Sequence, residues 1–66
     1  MWIIHNKTLY NTNHFQKIHV IGVTLYFVGT ESSADLLIPY ENEQEAKNAL
    51  RFIQEGLKIK QGILYL

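Results

Sequence analysis

The chain of 66 residues has no cysteine. Disulfides, thiolate zinc sites, iron–sulfur ligation and cysteine nucleophiles are therefore excluded. It has a single proline, Pro39, and its four glycines stand apart at positions 22, 29, 56 and 62. Isolated glycines build no phosphate-cradling loop. No acidic residue precedes Glu31, so Lys7 and Lys17 stand unopposed in the first thirty residues. The start, Met1-Trp2-Ile3-Ile4, turns polar at His5. It falls short of the about 7–15 apolar residues of a signal peptide. No run approaches the roughly 20 apolar residues of a membrane span. The cytoplasm is the expected compartment.

What is present is a globular composition: 47% apolar or aromatic residues against 18% charged do not describe a disordered chain. Six basic and six acidic residues sum to zero, so net charge points to neither nucleic acid nor membrane. The charges are nevertheless uneven. Glu31, Asp35, Glu41, Glu43 and Glu45 are clustered without a base between them, and Lys47, Arg51, Lys58 and Lys60 follow against Glu55 alone. Helix-dipole matching and solvated faces explain most of this layout.

The pattern predicts one α+β domain spanning residues 1–66. Its antiparallel sheet has four to five strands, one helix in the C-terminal half packs on one face, and the last residues are free to add a final strand. Trp2–His5 and Thr8–Asn11 read as strands around an Asn6-Lys7 turn. In the segment 15–21, Ile18 and Val20 share one face, opposite Phe15, Lys17, His19 and Ile21. Val23–Val28 reads as the clearest strand, with Val23, Leu25 and Phe27 on one side. Residues 29–34 form a loop in which Ser32 and Ser33 shape a turn. Asp35–Tyr40 is a strand that Pro39 confines to an edge or an end.

Asn42 followed by Glu45 is a capping box and opens a helix over 43–55. Its stripe, Ala46, Ala49, Leu50, Ile53 and Leu57, is expected to meet Val23, Leu25, Phe27, Leu36 and Ile38. Gly56 is the expected left-handed residue that ends the helix, with Leu57 closing on Phe52.

Chemistry-bearing residues are few. His5, His14 and His19 have no early acid to join them in a metal site, and His14 and His19, five apart, point to opposite sides of a strand. Ser32 and Ser33 lack a nucleophile-elbow pattern. Glu41, Glu43 and Glu45 belong to the helix start. Asn6-Lys7-Thr8 matches a glycosylation triplet, a pattern that arises by chance. The expectation is no enzyme, no metal or other cofactor, and no small-molecule substrate. Tyr10, Phe15, Tyr26 and Phe27, with Lys7, Lys17 and the histidines, are the residues a nucleic-acid-binding sheet would use. Six scattered cations support that alternative thinly, and core packing explains the aromatics.

Association has the stronger motive. A chain of about 60 residues buries only roughly 60% of its unfolded surface, and small domains without crosslinks often rely on a second chain. Beyond Gly62 the sequence is apolar on both faces of any strand. Ile59, Ile63, Leu64, Tyr65 and Leu66 are the candidate interface. The expected partner is a second copy, forming a homodimer, or another protein. A monomer with residues 59–66 folded back as an extra strand is the competing arrangement.

Trp2, the run Thr12-Asn13-His14-Phe15 before Ile18 and Val20, and Pro39-Tyr40-Glu41-Asn42 leading into Glu45-Ala46 and Ala49-Leu50-Ile53 complete the picture. Over residues 1–57 this order resembles small uncharacterised strand-then-helix proteins of low-GC Gram-positive bacteria and their phages. The resemblance implies an accessory protein of a phage or mobile element that acts by binding and blocking another component. It carries no catalytic motif, and the last nine residues have no counterpart in it.

Overall fold

The computed structural model describes residues 1–31 and 33–66; Ser32, read above as part of a turn, lies outside them. The elements run β1 (Trp2–His5), β2 (Thr8–Asn11), a 3-10 turn (Thr12–His14), β3 (Phe15–Ile21), β4 (Thr24–Gly29), β5 (Leu36–Pro39), α1 (Glu43–Lys58) and β6 (Ile63–Tyr65). The α+β class holds, but the strands form two three-stranded sheets, β2-β1-β6 and β3-β4-β5, where the pattern suggests one sheet of four to five. The 3-10 turn separates them. Asn11 accepts the Asn13 N–H on its side chain, and Thr12 gives both its N–H and its hydroxyl to the Met1 carbonyl, at 3.0 and 2.9 Å. The chain is thus redirected after β2, which does not pair with β3. The free side of β1 is filled from the far end of the chain by β6, which lies parallel to it.

The β1–β2 turn is the one the sequence predicts. Asn6 and Lys7 both adopt positive φ, 51° and 65°, as a two-residue turn matched to strand twist requires. The β3–β4 connection differs by one residue from expectation. Gly22 takes φ 60° and forms a two-residue turn with Val23, so the strand starts at Thr24. Val23 is exposed and does not join Leu25 and Phe27 in the core.

Phe15 is a second correction. The register shifts between Phe15 and Lys17, and a bulge of this kind inverts side-chain parity. Phe15 therefore packs on the core with Ile18 and Val20. Its ring meets Phe27 edge-on at 5.2 Å. β5 is an edge strand and Pro39 is its last residue, where a missing N–H costs nothing.

The core joins both sheets to the helix through Ile3, Leu25, Phe27, Ile38, Ile53 and Leu64. Asn42 caps the helix by accepting the Glu45 N–H at 2.9 Å. The Glu45 carboxylate reaches back to the Glu41 N–H, one residue beyond the usual capping box. The stripe is shorter than its pattern: Ala46 and Ile53 are buried and Ala49 and Leu50 half-buried, but Leu57 is 54% exposed.

The helix also runs three residues past the predicted end, to Lys58. Gly56 is not its left-handed terminus. It sits buried in the last turn, where an added Cβ would lie 3.3 Å from Leu64 Cδ1. Its value is the close approach of the C-terminal segment. The Schellman ending lies downstream: Lys60 takes φ 57°, its N–H bonds the Leu57 carbonyl and the Gln61 N–H bonds the Gly56 carbonyl. Phe52 and Leu57 both stay exposed, so the closure expected between them is not the one that ends this helix.

Two stability predictions follow from these placements. Ile53→Ala removes a side chain that is 1% exposed and should cost about 2–5 kcal/mol in chemical denaturation, against less than about 1 kcal/mol for Leu57→Ala. Lys60→Gly relieves a left-handed L-residue and should stabilise by about 1 kcal/mol, read in a thermal melt as a rise of about 4–8 °C.

Candidate interaction surface

β6 divides the five candidate interface residues between inside and outside. Side chains alternate along a strand. Leu64 is fully buried against Ile3 of β1, its partner in register, and Leu66 packs half-buried on the core. Ile63 and Tyr65 face the other way, 48% and 71% exposed. Ile59 is the C-cap of α1 and 72% exposed. The five therefore do not form one patch. Leu64 and Leu66 complete this chain's own core. The strand is held by Trp2 N–H to the Gly62 carbonyl and Leu66 N–H to the Ile4 carbonyl, both 2.8 Å. His5 Nδ1 lies 3.2 Å from the Leu66 carbonyl oxygen.

The outward half of β6 continues a larger surface. Register places Ile4 between Leu9 and Tyr65, and Trp2 between Asn11 and Ile63. The outer face of the first sheet thus carries five large apolar side chains and one asparagine, with no charge. Trp2 is 42% exposed and Leu9 53%, while Ile4 is half-buried. Apolar side chains lined up over three strands on a solvent-facing surface mark an interaction site more often than scattered ones do. Trp2, Ile4 and Leu9 are absent from the candidate set drawn from the sequence. A signal for them existed: a two-residue turn at Asn6-Lys7 dictates Ile4 opposite Leu9 and Trp2 opposite Asn11. Nothing local could have shown that β6 joins them.

The free edge of β6 is less open than its face. The bonds of Gly62 and Leu66 to β1 turn Ile63 and Tyr65 backbone groups outward, and the Gln61 amide donates to the Ile63 carbonyl at 2.9 Å. A side chain there occupies an acceptor that a new strand would need.

A second apolar feature is a cleft of about 340 Å³ between β3 and α1. Phe15, Gln16, Lys17 and Ile18 form one wall, next to Thr12. Leu50, Ile53, Gln54 and Leu57 form the other.

The remaining candidates are distributed without convergence. His5 ends β1, His14 lies in the 3-10 turn, and His19 on β3 meets the Tyr26 ring edge-on at 5.5 Å. Among the described residues no three His, Asp or Glu side chains are grouped to hold a metal ion. Glu43 pairs with Lys47 at 3.0 Å, and the Ser33 N–H bonds the Thr30 carbonyl. Of the aromatics named for nucleic acid, Phe27 is fully buried and Phe15 packs on it.

Tyr26 donates its hydroxyl to Asp35, whose other oxygen accepts the Gly29 N–H at 2.7 Å. The Gly29 bond first, and the Tyr26 bond second, hold the Asp35 carboxyl below its ordinary range. The same bond, with the Asp35 charge, pushes Tyr26 up. A lowered carboxylate pKa adds stability above the unfolded-state value and loses it as pH falls through the folded one. This latch therefore ties Asp35 to β4 at neutral pH and releases it in acid. Burial, then the Glu45 charge, raises Tyr40. No described helix is long and apolar enough to cross a membrane.

No protein-family model, curated protein or solved structure matches the chain.

The alternation in β6 predicts opposite outcomes for neighbouring substitutions. Leu64→Ala should cost about 2–5 kcal/mol in thermal unfolding, whereas Tyr65→Ala should stay within about 0.5 kcal/mol of the parent protein, both read at a protein concentration low enough that association adds no stability. Equal effects would contradict the placement of Leu64 in the core.

Proposed function

We propose that this chain is a non-enzymatic interaction protein that associates with a second copy of itself through the outer face of β2-β1-β6. The observation that carries this reading is the uncharged apolar face formed by Trp2, Ile4, Leu9, Ile63 and Tyr65. A face without charge selects no oppositely charged partner, and it is complementary to its own copy. Two such sheets stacked at the usual spacing of about 10 Å would each cover the other's apolar side chains. Gln61 on the Ile63 carbonyl favours stacking of faces over pairing of β6 edges. The need is physical as well: a small domain without crosslinks gains from hiding apolar surface that its own core does not use.

On this reading the protein acts by binding. The accessory role in a phage or mobile element that the resemblance implies fits a small binder of this kind, with the homodimer as the binding unit. Nucleic acid is not the favoured partner, because Phe15 and Phe27 are committed to packing and Tyr26 to Asp35.

Sedimentation equilibrium tests the proposal. The parent protein should sediment as a dimer, and Leu9→Lys or Tyr65→Lys should weaken association by at least about tenfold while leaving the melting temperature of the monomer unchanged. A monomeric parent protein, or variants that associate as well as the parent does, would remove the basis for the proposal.

A further inference from the structure

The cleft between β3 and α1 has an unusual wall. Phe15, Gln16, Lys17 and Ile18 line it as consecutive residues. The bulge leaves Phe15 and Ile18 together on the core face and Lys17 on the opposite parity to Ile18, so what residues from both faces share toward the cleft is the backbone edge. Among the described residues β3 has β4 on one side and no strand on the other. Apart from the Phe15 N–H, which bonds the Thr12 carbonyl of the 3-10 turn, no described backbone hydrogen bond of residues 15–21 goes to an element besides β4. Facing this edge, Leu50, Ile53 and Leu57 form a helical stripe at spacings of three and four. Leu57 is 54% exposed there.

An open strand edge beside a helix-lined apolar cleft is the arrangement in which an extended peptide adds itself as a further strand. Main-chain hydrogen bonds supply affinity, and alternate side chains enter the cleft. We infer that β3 accepts an extended segment of another protein in which apolar residues alternate with acidic ones. The apolar set would point into the cleft against Leu50 and Leu57.

The acidic set follows from charge. Lys17 lies on the opposite parity to Ile18, no acid occurs before Glu31, and the described ion pairs engage Lys47 and Lys58 instead. A cross-strand neighbour of Lys17 is therefore best an acid. The same charge disfavours a second copy at this edge. A symmetric pairing of two β3 strands centred on Lys17 or Ile18 would set Lys17 against Lys17 or His19. This site is separate from the sheet face proposed above and does not depend on it.

The test is an NMR titration of the isotope-labelled full chain with blocked hexapeptides that alternate glutamate with valine, leucine or phenylalanine. At least one should produce saturating shifts in β3 and in the Leu50–Leu57 stripe. Methylating one alternate set of peptide amide nitrogens should abolish binding, and methylating the other set should spare it. Lysine in place of glutamate, or Leu57→Gln in the protein, should weaken binding by about tenfold. Tyr65→Lys, which disables the sheet face, should leave the titration unchanged. The inference is overturned if no peptide saturates up to millimolar concentration, or if both methylated forms bind like the parent peptide. It is equally overturned if β3 amides become protected on raising protein concentration alone, which would mean that a second copy holds the edge.

Discussion

The parallel pairing of β1 with β6 is the contact on which the rest of this fold depends. It joins the two extremes of the described chain and places Ile3 beside Leu64 in one buried pair. Without β6 the first sheet would be a lone hairpin, and an isolated hairpin is marginal in water. With it, a third strand closes over the helix end, where Gly56 leaves room for the Leu64 side chain. Gly56 inside a helix is unfavourable by about 1 kcal/mol relative to alanine, and the approach of β6 is the physical reason for it here.

That same strand divides the apolar C-terminal sequence by parity. Leu64 and Leu66 serve the core, and Ile63 and Tyr65 serve the outside. Burial within the chain and association with another chain therefore need not be alternatives. One short strand performs the first and presents surface for the second. The two proposed contacts occupy different places: a flat uncharged sheet face for a second copy, and a strand edge beside α1 for an extended acidic partner. A dimer joined by its sheet faces would leave both β3 edges free and offer two copies of the peptide site, which is how avidity arises without new contacts.

Legibility in the sequence tracked the range of the interaction. The Asn6-Lys7 turn, the hairpin around it, the Asn42 cap and the buried alternation of Leu25 and Phe27 depend on neighbours a few residues apart, and the pattern displays them. Features that depend on distant partners are not displayed in the pattern. Gly56 looks like a helix stop because glycine usually is one, and only the passage of Leu64 explains its place inside the helix. Lys60 is not a residue one would choose for left-handed backbone. Phe15 changes sides because a bulge intervenes, and a bulge leaves no mark in an alternating pattern. The division into two sheets turns on Thr12 reaching the Met1 carbonyl, a contact no periodicity encodes. For the interaction surface, Ile63 and Tyr65 were legible as unsheltered apolar residues. Trp2, Ile4 and Leu9 join them only through the pairing of β6 with β1.

The central claim is that β6 belongs to its own chain on one side and to a partner on the other. Isotope-filtered NMR on an equal mixture of labelled and unlabelled protein addresses it directly, since it separates contacts within a chain from contacts between chains. The account predicts Ile3–Leu64 contacts within single chains only, and contacts between chains among Trp2, Leu9 and Tyr65. Ile3–Leu64 contacts between chains, or an apolar sheet face with no contact between chains at all, would contradict it.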